Sequence, residues 1–302
     1  MFGPLLLPTV FGAVLAAVAA STGVKADETT RTFRLLVPAI FKNETLGLSA
    51  VKDSNLRTAF PVASCPALTD PKLKDIQRVA IELMIHCRSL MRSGLADTIE
   101  LVSFPNSRRA IDLLQAGRAE ALGVSLFASR LEGIPGRLQL SDSVLRIGEF
   151  QLGLHTTPNR KDVLAVKTVA ELKALRGVTV SQWVIDLKTM KSLGLAGVVT
   201  TGNGKRIPGM IAGGRADFTF SYLKEAATTH LGAALVRLDG FKASLQDERI
   251  FVFSPSAEKA YAAMQKLIRE SRSSPEDPLA AAYRHAGFIV DEYRDWIDVT
   301  RQ

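Results

Sequence analysis

Few residues in this sequence are spaced for catalysis or for metal binding. The chain has 302 residues, and its histidines stand far apart, at His86, His155, His230 and His285. This spacing differs from the short intervals at which metal ligands recur along a helix or loop. We also identify no Ser/His/Asp arrangement, no Cys/His arrangement and no paired carboxylates that would supply a nucleophile and its base. The sequence therefore predicts no metal site, no cofactor and no catalytic residues.

The cysteines allow one covalent link. Cys65 and Cys87 are the two cysteines of the chain, 22 residues apart. In an oxidising compartment a single disulfide is their simplest pairing, and it would stabilise the fold by roughly 3 kcal/mol. Two buried thiols are the alternative.

An arginine near a helix start is a candidate for anion binding. Asn106 can cap a helix predicted over residues 107–116, and Arg109 lies in its first turn, where the helix dipole favours anions. If Arg109 faces a cleft, it adds to an anion site. If it faces solvent, it is an ordinary surface residue.

Short strands and helices alternate along most of the chain. Apolar residues at helical spacing follow Pro71 as far as Gly94, and the motif Thr168-x-x-Glu171 is a capping box. Near the end we predict a helix over 275–286, capped by Ser274, and an amphipathic tail over 290–299 that packs on the first half. Strands alternating with helices at this pitch predict an α/β protein with mainly parallel sheets.

One segment recurs in both halves. The sequence LLQAGRAEA at 113–121 resembles MIAGGRADF at 210–218, 97 residues later. In each copy a helix ends at a glycine suited to positive φ, and an acid, Glu120 or Asp217, precedes a strand. We expect both acids to bond nearby backbone amides.

The N-terminus predicts export. The first 24 residues carry no charge and are rich in Leu, Val, Ala and Phe, so we interpret residues 1–26 as a signal peptide. The alternative is an uncleaved leader that anchors the protein in the membrane, because about 20 apolar residues can span a bilayer. The chain has a net charge of +8 with scattered basic residues, a pattern that argues against a nucleic-acid partner.

Motifs in the first half resemble those of a known family. LQAGRAE at 114–120 is similar to a Leu-x-x-Gly-x-x-Asp turn, GVSLFASR at 123–130 to Gly-x-Thr-x-Thr-x-x-Arg, and LSDS at 140–143 to Phe-Ser-Asp-Pro. In this order they resemble the family 3 extracellular solute-binding proteins, typified by binders of polar amino acids for ABC importers. The resemblance implies two α/β lobes joined by two hinge strands and closing on a ligand.

The resemblance also implies a binding site. Arg130 stands where the family has the arginine that forks the ligand carboxylate, with two parallel hydrogen bonds. Gly123 and Ser125 would line the same wall. Arg109, if it faces the cleft, would reinforce an anionic ligand.

Several positions depart from the family pattern. Phe127 replaces a Thr, Ser181 and Trp183 occupy a loop of small residues, and Tyr222 stands where the family has the acid that binds an α-ammonium group. We expect these residues near the ligand, which is then a ring-bearing or less polar carboxylate rather than an α-amino acid. Core packing is the alternative for each aromatic residue.

These expectations combine into one hypothesis. Lobe 1 is 27–147 completed by 254–302, lobe 2 is 148–253, and the protein is a periplasmic monomer that binds a small carboxylate-bearing solute and serves an ABC permease. The alternatives are an enzyme of dehydratase or lyase type on the same scaffold, since catalytic partners need not be sequence neighbours, and a stand-alone sensor lobe.

Overall fold

Two main β-sheets organise the chain in a computed structural model. The structure describes residues 30–38, 58–76, 78–134, 136–229 and 231–301. The chain separates into two units, Met1–Thr30 and Arg31–Gln302, and every element below belongs to the second. The predicted leader, 1–26, and His230 lie outside the described residues.

The strands of the described residues are short and follow one another in this order: β1 (Thr32–Pro38), β2 (Thr58–Pro61), β3 (Thr98–Phe104), β4 (Ala121–Leu122), β5 (Leu126–Phe127), β6 (Gln139–Leu145), β7 (Gln151–Thr156), β8 (Arg176–Val180), β9 (Gly197–Thr201), β10 (Thr219–Tyr222), β11 (Ala227–Thr228), β12 (Leu235–Ser244), β13 (Arg249–Phe253) and β14 (Ile297–Asp298). The α-helices of the same residues are α1 (Arg78–Ser93), α2 (Ser107–Gln115), α3 (Lys161–Leu164), α4 (Val169–Lys173), α5 (Val184–Ser192), α6 (Ile207–Ala212), α7 (Glu258–Ser273) and α8 (Pro278–His285).

The first sheet has the order β2-β3-β1-β4-β13-β5, with β6 paired to β13. Strand β1 is parallel to β3 and β4, and Leu35, Leu36 and Val37 within it are fully buried. A continuous apolar run of this kind is typical of a parallel strand that is covered on both faces of the sheet. The first sheet, with α1, α2, α7 and α8, is the first lobe.

The second sheet has the order β10-β7-β12-β11, with β14 paired to β12, and β8 pairs with β9 beside it. Together with α3 to α6 these strands form the second lobe. Here β8 and β9 are parallel, whereas β7 is antiparallel to both β10 and β12. The predicted α/β class is confirmed, but the sheets are mixed rather than mainly parallel. The difference arises at the strands leading into and out of each lobe, which run antiparallel to their neighbours.

Besides the tail that leads from α8 to β14, two connections join the lobes, one between β6 and β7 and one between β12 and β13. They are bonded to each other, since the amide of Gly148 donates to the carbonyl of Leu245 at 3.3 Å and the amide of Leu245 donates to that of Phe150 at 3.0 Å. The two connections therefore form a hydrogen-bonded pair where the chain passes between the lobes.

The C-terminal tail lies on the second lobe, not on the first as the sequence suggested. Strand β14 pairs with β12, and the buried ammonium group of Lys242 donates to the carbonyl of Tyr293 at 2.7 Å. The guanidinium of Arg237 lies over the rings of Tyr293 and Trp296, at 4.4 and 4.5 Å. The tail thus supplies the polar and aromatic partners that two cations of β12 require.

The repeated segment has the same local structure in both lobes. Gly117 and Gly214 have φ of 64° and 68°, as predicted. Glu120 accepts a hydrogen bond from the backbone amide of Arg34, and Asp217 accepts one from that of Arg176, each at 2.7 Å. Each acid therefore joins the end of one strand to its neighbour.

Other local predictions are also found. Cys65 and Cys87 form a disulfide with their Cα atoms 5.9 Å apart, which links the segment before α1 to that helix. Asn106 caps α2, and Thr168 with Glu171 forms the capping box of α4.

Candidate functional site

A cavity of about 510 Å³ lies between the lobes and is lined by residues of both. The first lobe contributes Arg78, Phe127 and Arg130. The junction, α5 and the second sheet contribute mostly apolar and aromatic side chains, together with one acid: Phe150, Leu152, Trp183, Val184, Ile185, Asp186, Phe220, Ser221, Tyr222 and Leu231. Its size and its apolar walls with a few polar groups are typical of small-molecule sites.

A buried carboxylate organises the wall of the first lobe. Glu82 is fully buried on α1, and one of its oxygens accepts a hydrogen bond from Nη1 of Arg78, one turn earlier, at 2.7 Å. It also accepts from the amide of Ser125 at 2.9 Å, from the Ser125 hydroxyl at 2.5 Å and from the Tyr283 hydroxyl at 3.2 Å. These bonds hold α1, the loop before β5, and α8 together.

A second arginine lies behind the cavity wall. Arg249 opens β13 and is 5% exposed; its Nε donates to the Ser125 hydroxyl at 2.9 Å and its Nη2 donates to the Ser125 carbonyl at 2.5 Å. Its guanidinium stacks 4.2 Å from the ring centre of Phe127 and 5.8 Å from that of Phe150. Burial, followed by the positive charge of Arg78, lowers the pKa of Arg249 to about 9.

Asp186 is the acid of the second lobe at this cavity. It lies in the first turn of α5, where the helix dipole favours a negative charge. Desolvation nevertheless raises the pKa of Asp186 to about 6, and the charge of Arg249 offsets only part of that rise. Asp186 therefore changes charge close to neutral pH.

The structure brings four of the predicted site residues to this cavity: Phe127, Arg130, Trp183 and Tyr222. The tyrosine ring also meets Phe288 of the first lobe edge to face, with ring centres 5.9 Å apart.

The other predicted residues lie elsewhere in the described part of the chain. Gly123 packs on β1, where a Cβ atom would be 2.9 Å from a methyl of Leu83, so close packing explains the glycine. Ser125 is fully buried in the bonds to Glu82 and Arg249, and the side chains of Arg109 and Ser181 are exposed outside the cavity lining.

Sequence reasoning missed Arg78, Glu82, Arg249 and Asp186. Two of them carried a usable signal, since Arg78 and Glu82 stand at i and i+4 among the apolar residues of the first half of α1. Arg249 also carried one, as a charge immediately before the apolar run Ile250 to Phe253. Nothing local marks Asp186, which follows an apolar pair in an ordinary first turn.

Two further properties concern only the described residues. They contain no group of three His, Cys, Asp or Glu side chains placed to hold a metal ion. None of their helices combines the length and the hydrophobicity of a membrane-spanning segment.

Comparison with solved structures identifies the fold. No protein-family model matches the chain, and no curated protein matches it in sequence. The periplasmic VFT2 domain of BvgS from Bordetella pertussis superposes with a TM-score of 0.50 at 17% identity, over 84% of this chain and 92% of that domain. The probable amino-acid ABC transporter extracellular-binding protein ytmK from Bacillus subtilis superposes with a TM-score of 0.53 at 12% identity, over 88% of this chain and 100% of its own. The chain has the two-lobed fold of type II periplasmic binding proteins.

Proposed function

We propose that this protein is a periplasmic solute-binding protein that encloses a small carboxylate-bearing solute between its lobes and delivers it to an ABC importer. The cavity between the lobes carries this proposal. Its lining combines the guanidinium of Arg130 with the rings of Phe127, Trp183 and Tyr222. A guanidinium selects a carboxylate, and flat apolar rings select a flat apolar ligand body.

The proposal also covers the cleavage of the leader and the limits of the two lobes. We propose that residues 1–26 are removed on export and that 148–253 form the second lobe, with 27–147 and 254–302 forming the first. Two strands depart from these limits, because β13 pairs within the first sheet and β14 pairs with β12 of the second.

A thermal-shift screen of the purified protein tests the proposal. The panel contains amino acids, 2-oxo acids and aromatic carboxylates, each beside its neutral amide. A ligand at 100 times its dissociation constant stabilises the protein by about 2.7 kcal/mol. We expect a ring-bearing carboxylate, but not its amide, to raise the melting temperature. We expect Arg130→Gln to abolish the shift and Arg109→Gln, outside the cavity, to retain it. A panel without any stabilising carboxylate would count against the proposal.

Asp186 favours a second candidate function, an enzyme on the same scaffold. A cavity-lining acid with a pKa of about 6 is suited to accept or donate a proton at neutral pH. Each stabilising compound is incubated with the protein and followed by mass spectrometry. Turnover that is lost in Asp186→Asn, with binding retained, would establish the enzyme, and an unchanged compound would leave binding alone.

A further inference from the structure

Arg78 presents unused hydrogen-bond donors to the cavity. Its side chain is 20% exposed and lines the cavity from the first residue of α1. Its Nη1 donates to Glu82 at 2.7 Å and to the Ser125 hydroxyl at 3.2 Å. Within the described part of the chain, its Nε and Nη2 make no hydrogen bond, so one edge of the guanidinium remains available on the cavity side.

The charges around Arg78 do not balance. In the described residues, Glu82 is the one carboxylate hydrogen-bonded to Arg78, and the guanidinium of Arg249 hydrogen-bonds only to Ser125. Asp186 interacts electrostatically with Arg249 but makes no hydrogen bond to either arginine among the described residues, and desolvation raises its pKa to about 6. Placing a cation away from water without a counter-charge is costly.

A carboxylate in the cavity would remove this imbalance. The Nε and Nη2 atoms of a guanidinium form a fork that fits the two oxygens of a carboxylate or another oxyanion. The rings of Phe127 and Phe150, which also line the cavity, lie against the guanidinium of Arg249.

We propose that Arg78 is an anion-binding residue of this cavity and that the anionic group of the solute supplies the counter-charge which Arg78 and Arg249 lack. This inference rests on the proposed function and adds to it a buried anion-binding residue besides the exposed Arg130.

Two titrations test Arg78, with Arg88→Gln as the matched control on the same helix outside the cavity lining. The first uses the carboxylate that stabilises the wild type most in the screen. Losing charge-assisted hydrogen bonds in Arg78→Gln should weaken its binding about 10- to 100-fold, while Arg88→Gln stays within twofold. Arg78→Lys should lie between the wild type and Arg78→Gln, because a lysine keeps the charge but loses the fork.

The second titration uses sulfate against chloride at constant ionic strength, with the melting temperature as readout. A saturable rise is expected in the wild type and in Arg88→Gln but not in Arg78→Gln. The inference is overturned if Arg78→Gln retains this saturable rise or if the wild type lacks it.

The two measurements separate the proposals. If a carboxylate binds the wild type and Arg78→Gln with equal affinity but fails to bind Arg130→Gln, the proposed function stands and the role of Arg78 is rejected. If no carboxylate binds the wild type, the proposed function fails, and the sulfate titration alone decides whether Arg78 binds anions.

Discussion

Two kinds of arginine–carboxylate cluster occur in this molecule, and they differ in charge balance. At the repeated corners, Arg34 faces Glu120, while Arg160 and Arg176 face Asp217, with Asp162 as a second acid on Arg160. At the cavity, by contrast, Glu82 is the one carboxylate hydrogen-bonded to Arg78 among the described residues, and Arg249 hydrogen-bonds only to Ser125. The corners are complete on their own and join strands. The cavity cluster has two arginines and one hydrogen-bonded carboxylate, and in our proposal the anionic group of the solute adds a second one.

The largest effect is expected from Glu82. In Glu82→Gln, Arg78 loses its hydrogen-bonded carboxylate and Arg249 loses a nearby negative charge, so the free energy of unfolding should fall by about 3–5 kcal/mol. Urea denaturation followed by circular dichroism measures it. Adding Arg78→Gln should recover part of the loss, because it removes one of the two cations. If Glu82→Gln alone lowers the free energy of unfolding by less than about 1 kcal/mol, the two arginines do not need this carboxylate for stability.

A corner variant should lower stability without affecting binding. Asp217→Asn leaves Arg160 and Arg176 with fewer acceptors, and we expect a loss of about 2 kcal/mol in the free energy of unfolding. Calorimetric titration of the carboxylate from the screen should give an affinity within twofold of the wild type. A larger change in affinity would contradict the division between structural corners and binding cavity.

The smallest effect is an increase in stability. Because burial raises the folded-state pKa of Asp186 to about 6, its ionised form opposes folding above that pH. Asp186→Asn should therefore stabilise the protein by about 1–2 kcal/mol at pH 7.5. This advantage should diminish as the pH falls from 6 to 4 and vanish near pH 3, where the carboxyl is protonated in both the folded and the unfolded chain. Denaturation curves at several pH values measure it, and an advantage that persists undiminished at pH 3 would exclude this origin.

Local features were predictable from the sequence where the signal and the structure occupy the same few residues. The capping box of Thr168 and Glu171 and the positive φ of Gly117 and Gly214 are of this kind. The last helix shows the limit. Ser274-Pro275 and Asp277-Pro278 are equally good starts, and the structure uses Asp277, which Arg272 also holds at 2.8 Å.

The candidate site was less predictable because it depends on contacts between distant segments. Arg78 and Arg249 are 171 positions apart in the sequence, and only the fold reveals that they share Ser125. The lobe on which the tail packs was also not predictable, because the amphipathic pattern of the tail is compatible with either lobe. In the structure the tail packs on the second lobe, where Tyr293 contacts Lys242 and Arg237.

The positions of the two tryptophans allow the cavity and the tail to be followed by intrinsic fluorescence. The chain has two, Trp183 at the cavity and Trp296 under the guanidinium of Arg237. In Trp296→Phe, emission comes from the cavity alone and its colour should follow the entry of a solute. In Trp183→Phe, emission comes from the tail alone and should follow its release from β12. Two single-tryptophan proteins thus allow occupancy and tail docking to be timed separately in solution, without an added dye.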